Sequence, residues 1–151
     1  MQMNRPYAML AVMGVLSFVA MYALMFAMVD RFANVFPSFN QFYMAALMTA
    51  PMIVIEVAVM GAMYPSKRAN LLIIGASVIA LVAFWFAIRQ QLAIGDVQFV
   101  KSMIPHHAGA ILMCENASLK DAELVKLCQT IVAGQQAEID QMKARLKVLE
   151  R

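Results

Sequence analysis

Three stretches, from about Tyr7 to Val29, Gln41 to Tyr64 and Leu71 to Ile88, stay apolar over the length an α-helix needs to cross a bilayer, about 20 residues. Only 14% of the 151 residues are charged, against about 25% in an ordinary soluble domain, so the chain reads as a membrane protein. The first run reads as a retained span. A signal-peptide h-region covers only about 7 to 15 residues, and no clear small-residue cleavage site follows this one. Between the spans, DRFANVFPSFN and YPSKRAN carry the charge, proline and aromatic residues of short interfacial loops.

Charge divides the chain in two. Residues 1–94 hold five basic and two acidic side chains (Arg5, Asp30, Arg31, Glu56, Lys67, Arg68, Arg89), whereas residues 95–151 hold seven of each. The sequence therefore predicts a three-span membrane domain over 1–94 and a polar tail over 95–151. The excess positive charge lies on short loops rather than on a continuous basic face, which excludes nucleic acid as a partner. Arg5 with the N-terminal amine, and Lys67 with Arg68, fall on one side of the spans; Asp30 and Arg31 cancel on the other, where Arg89 and the tail emerge. The positive-inside rule then predicts a bacterial inner membrane protein with a cytoplasmic N-terminus and a periplasmic tail.

The tail reads as an antiparallel helical hairpin. Three-four spacing puts Val100, Met103, His107, Ala110, Cys114 and Ala117 on one stripe, and Leu124, Cys128, Ile131, Gln135, Glu138, Met142, Leu146 and Leu149 on another after the turn NASLKD. Pro105 predicts a kink or a fresh helix near Ile104. A hairpin this small lacks a sufficient core alone. The expected architecture is thus all-α: three transmembrane helices, then a hairpin that completes a four-helix bundle by dimerisation.

Both histidines of the chain fall in MIPHHAGAILMCENA, residues 103–117. Gln135 and Glu138 occupy seam positions where polar groups are costly without a partner or a metal. Folding about Leu119 sets Met103 level with about Gln135 and His107 level with about Val132, leaving Glu138 roughly 9 Å beyond His107 at 1.5 Å per residue. Contact of His107 with Glu138 then requires a shift at Pro105 or a second subunit. Imidazole with thioether sulfur favours a soft ion, Cu(I) first and Zn(II) behind it. A di-iron centre fails on ligand count, because Gln141, not histidine, follows Glu138 by three residues. Cys114 and Cys128 read as ligands, a disulfide or small buried apolar residues; in this register Cys114 faces about Val125, with Cys128 roughly 4.5 Å further along, and helix separation disfavours the disulfide.

These motifs, D-x-x-F at 96–99, M-I-P-H-H-A-G-A-I at 103–111 and I-x-x-x-Q-x-x-E-I-x-x-M at 131–142, resemble the domain of unknown function 305 family over about residues 95–149. The family is ferritin-like in helical packing and includes CopM-type periplasmic copper-binding proteins. The resemblance implies metal binding through Met103, His106, His107, Glu138 and Met142; Met113, Cys114 and Gln135 are weaker candidates. This chain has one hairpin where longer members have two, and adds three spans. Histidines that merely hydrogen-bond within a bundle are the plain alternative.

Methionine supplies 15 residues. Met44, Met48, Met52, Glu56, Met60 and Met63 follow a nearly unbroken i, i+4 row on the second span, partly repeated by Met9, Met13, Met21, Met25 and Met28 on the first. Such rows read either as flexible apolar filler or as a soft path for copper. Glu56 lies inside a span, where an ionisable group pairs or lines a pathway; the plain alternative is a protonated Glu56 that joins helices by a hydrogen bond to Ser17, Thr49 or Ser77. The leading expectation is a membrane-anchored copper-binding protein for sequestration, delivery or resistance, with lipid and a second copy as partners. Alternatives are a copper transporter or channel using Met44, Met48, Met52, Glu56 and Met60, and a structural membrane protein without metal. No nucleophile–base–acid set points to an enzyme.

Overall fold

In a computed structural model that describes residues 5–151, the described residues form helices and no strands. Five α-helices follow in order: α1 (Arg5–Leu24), α2 (Phe39–Val59), α3 (Lys67–Arg89), α4 (Asp96–Asn116) and α5 (Ala122–Leu149). The chain gathers into two units, one of residues up to Leu24 with Asn40–Leu92, the other of Met25–Phe39 with Ala93–Arg151. The segment between the first two apolar helices thus packs with the hairpin.

Three helical stretches, Arg5–Met28, Phe39–Val59 and Lys67–Arg89, are long and apolar enough to cross a membrane. The first includes a last turn tightened to a 3₁₀ helix at Met25–Met28. The second stops at Val59 rather than near Tyr64, because Gly61 and the approach to Pro65 favour a short 3₁₀ turn, Gly61–Met63. Ser66 caps α3 by accepting from the Ala69 N–H. Side chains such as Val59, Leu71 and Leu72 point outward, about three-quarters exposed, as suits helices solvated by lipid.

Within this first unit, Leu10, Val57 and Tyr64 form a small core with Tyr7, Met13, Ile53, Ile73 and Ile74 against them. Gly14 of α1 is buried against α2, where a Cβ would stand 3.4 Å from the Ile53 side chain, in ordinary van der Waals contact. At one end the Tyr7 hydroxyl donates to Asn70 Oδ1 at 2.8 Å and accepts from the Ser66 N–H at 3.1 Å. At the other, Tyr43 donates to the Leu92 carbonyl, and Phe42 meets Phe18 and Phe84 edge-on. Past α3 the chain turns through Gln91 and Ala93, both in the left-handed region at φ 49° and 56°.

In the second unit α4 runs unbroken through Pro105, which forfeits one backbone donor without ending the helix. Its buried stripe is Val100, Ile104, Ala108 and Ile111, joined by Ile139 and Leu146 of α5. Val29 and Phe36 pack on the same core, and the Met28 carbonyl lies 3.4 Å from where a Gly109 Cβ would stand. The 25–39 segment therefore supplies apolar cover to the hairpin core, and the buried face of α4 is Val100, Ile104, Ala108 and Ile111 rather than the expected Met103–His107–Cys114 stripe. Asp30 anchors this segment, accepting from Arg31 Nε at 2.8 Å and from the buried Asn34 amide. Asp121 caps α5, accepting from the Glu123 and Leu124 N–H groups.

Candidate metal site

The hairpin register decides which polar groups meet. Ala117 and Asp121 are both extended, so the connection carries the chain past the end of α4 before α5 begins. Cys114 is disulfide-bonded to Cys128, with Cα atoms 5.2 Å apart. That pairing sets His107 level with about Gln135, some three residues from the Val132 level expected by folding about Leu119. At 1.5 Å per residue, Glu138 lies about 4.5 Å beyond that level, within side-chain reach. The sequence reading that put the two out of contact within one hairpin is corrected: His107 Nε2 is 2.9 Å from Glu138 Oε2. No shift at Pro105 and no second subunit is needed.

The other ring nitrogen is also fixed. His107 Nδ1 is 2.9 Å from the Met103 carbonyl oxygen, which only accepts, so Nδ1 carries a proton and donates it. Nε2 then faces a carboxylate, and that bond requires a second proton on the pair. An N–H held by a backbone carbonyl with the far nitrogen presented outward is the common arrangement of a metal-ligating histidine. The His107 side chain is 12% exposed and that of Glu138 56%, so the pair lies at the hairpin edge with the carboxylate towards solvent. Lys101 and Glu150, 2.6 Å apart, join the far ends of the two helices.

The remaining candidates divide clearly. His106 is exposed beside His107, ring centroids 6.0 Å apart and nearly perpendicular. Met103 and Gln135 are half-buried, and Met142 is half-buried against the hairpin core. Met113 is 55% exposed. Cys114 is withdrawn as a thiolate ligand because its sulfur is bonded to that of Cys128. Among the described residues no three His, Cys, Asp or Glu side chains converge as a metal cluster. One chain thus supplies an oriented imidazole and a carboxylate, with a second imidazole adjacent: a set whose donors suit a borderline ion as part of a site.

The methionine row does not line an interior path in one copy, since Met44, Met48 and Met60 stand exposed while only Met52 and Glu56 are half-buried. Glu56 pairs with Tyr64, not with Ser17, Thr49 or Ser77; the Thr49 hydroxyl donates instead to the Ala45 carbonyl at 2.8 Å. Tyr64 was not singled out from the sequence, where it marked only the end of a span.

Residues 87–146 match the family described as domain of unknown function (DUF305). Over 143 residues the chain is 34% identical to "Uncharacterized protein L153" of Acanthamoeba polyphaga mimivirus, a match covering 92% of this chain and 91% of that protein. The likeness therefore runs through the apolar helices as well as the hairpin. No solved structure matches.

Proposed function

The chain belongs to the DUF305 family, and from that premise we propose that it is a membrane-anchored copper-binding protein whose hairpin sequesters or delivers Cu(I) outside a cytoplasmic membrane. The observation that carries this reading is the two-ended restraint on His107, with Nδ1 held by the Met103 carbonyl and Nε2 presented at 2.9 Å to Glu138. In this reading His107 is the anchoring ligand, Glu138 ligates or orients, and His106 with the thioethers of Met103 and Met142 completes a soft donor set. The spans anchor the hairpin with the N-terminus cytoplasmic. Leu124, Leu127 and Val148, each about half exposed on α5, are apolar surface for a second copy, which would complete a four-helix bundle and bring a second set of donors.

The test is Cu(I) competition against a chelator on the full chain in detergent, native and with His106→Ala and His107→Ala together, with helicity checked by circular dichroism. Alanine keeps the helix. The expected result is loss of more than about 100-fold in affinity, since even groups that only orient a ligand contribute about 10- to 100-fold. Glu138→Gln is expected to weaken binding less if it orients His107 and equally if it ligates. Unchanged affinity in the double variant would leave the pair as bundle histidines without metal.

A further inference from the structure

Where the start of α1 faces the end of α2, a cavity of about 550 Å³ is lined by Arg5, Met9, Met13, Glu56, Met63 and Tyr64. Two of the thioethers lie one helical turn apart on α1, and the third follows α2 on the turn Gly61–Met63. Sequence periodicity had placed these methionines in separate rows; the fold sets parts of both rows along one open cavity with Glu56, Met13 half-buried and Met9 and Met63 more than half exposed. Tyr64 is held by the ring of Tyr7, centroids 5.4 Å apart, and by Asn70 Nδ2, which donates to its carbonyl. Its hydroxyl donates to Glu56 Oε1 at 3.3 Å. Among the described residues, Glu56 Oε2 has no hydrogen bond and Arg5 forms no ion pair with Glu56.

We infer that this cavity is a second soft-cation site, binding Cu(I) or Ag(I) through the sulfurs of Met9, Met13 and Met63 with Glu56 as the anionic ligand. Thioether sulfur selects soft monovalent ions and rejects Mg(II) and Ca(II), which require oxygen-rich shells. Tyr64 orients the carboxylate by holding Oε1 and leaving Oε2 for the ion. The site shares no residue with the hairpin.

The probe is Ag(I) in chloride-free buffer, which needs no added reductant and so leaves the Cys114–Cys128 disulfide closed. It is titrated against the full chain in detergent carrying His106→Ala and His107→Ala. This variant is expected to retain one Ag(I) per chain. Adding Met9→Leu, Met13→Leu and Met63→Leu, which conserve volume, is expected to weaken it by more than about 100-fold, and Glu56→Gln alone by about 10-fold or more. In the native histidine background the three leucines should remove this ion and spare the one at the hairpin, so failure of either site is read separately. No retained Ag(I) in the double-histidine variant, or retention unaffected by the leucines, overturns the site. Should the leucine variant fail to fold, X-ray absorption of the Ag(I)-loaded double-histidine protein decides: sulfur neighbours with one oxygen are expected, and a shell without sulfur overturns the site.

Discussion

Replacing both Cys114 and Cys128 by serine should loosen the hairpin by an amount that its geometry fixes. The disulfide joins residues 14 apart, and closing a loop of about 15 residues restricts the unfolded chain by about 3 kcal/mol. At 1.4 kcal/mol per factor of ten, α4 and α5 should open about 100- to 200-fold more often. Hydrogen exchange on the full chain in detergent, under conditions where exchange reports the opening equilibrium, measures this directly. Amides of Asp96–Asn116 and Ala122–Leu149 should lose protection together, while those of α1 to α3 keep theirs. Cys114 lies seven residues from His107 on one helix, so a hairpin released at its tip also loosens the register that brings Glu138 to the imidazole, and soft-metal affinity should fall with protection. Alkylation of the unreduced native protein should add no label. Two labels, or α4 and α5 protection unchanged in the double serine variant, would refute the argument that this crosslink sets the register.

Other consequences are more local. A reporter fused after Arg151 should be active in the periplasm if Arg5, Lys67 and Arg68 mark the cytoplasmic side, as the positive-inside rule predicts; cytoplasmic activity would reverse the topology. Ile104→Ala removes a side chain that is 0% exposed and should destabilise the hairpin by about 2–5 kcal/mol, read in the same exchange experiment. Asp121→Ala removes the acceptor of the Glu123 and Leu124 amides, which should cost about 1 kcal/mol and show first as faster exchange at those two positions. Ala93→Gly relieves a left-handed residue at φ 56° and should stabilise the fold by about 1 kcal/mol, seen as a raised thermal midpoint.

The apolar helices were legible in the sequence because composition alone marks them, and their ends were less so because Gly61 and Pro65 act through local backbone geometry. The hairpin was legible from its periodicity and from NASLKD. Its register was not, since the extended Ala117 and Asp121 decide how far α5 overhangs α4, and nothing in the spacing of apolar residues encodes that overhang. The buried face of α4 was misplaced for a related reason: Val29 and Phe36 reach it from far earlier in the chain, a contact with no periodic signature. Hence His107 and Glu138 were identified as candidates while their contact was not. Likewise Met9, Met13 and Met63 were noticed as parts of rows, but only the antiparallel placement of α1 and α2 brings them around Glu56.

The order of synthesis gives the 25–39 segment a further significance. Val29 and Phe36 leave the ribosome before α2 and α3, yet the surface they cover on α4 is made only after both. The hairpin unit therefore cannot be completed until the middle apolar helices have been synthesised. A fragment cut to Ala93–Arg151 would carry the histidines and the disulfide but lose Val29 and Phe36 from its apolar core, so the portable piece of this protein includes Met25–Phe39 joined back to the hairpin.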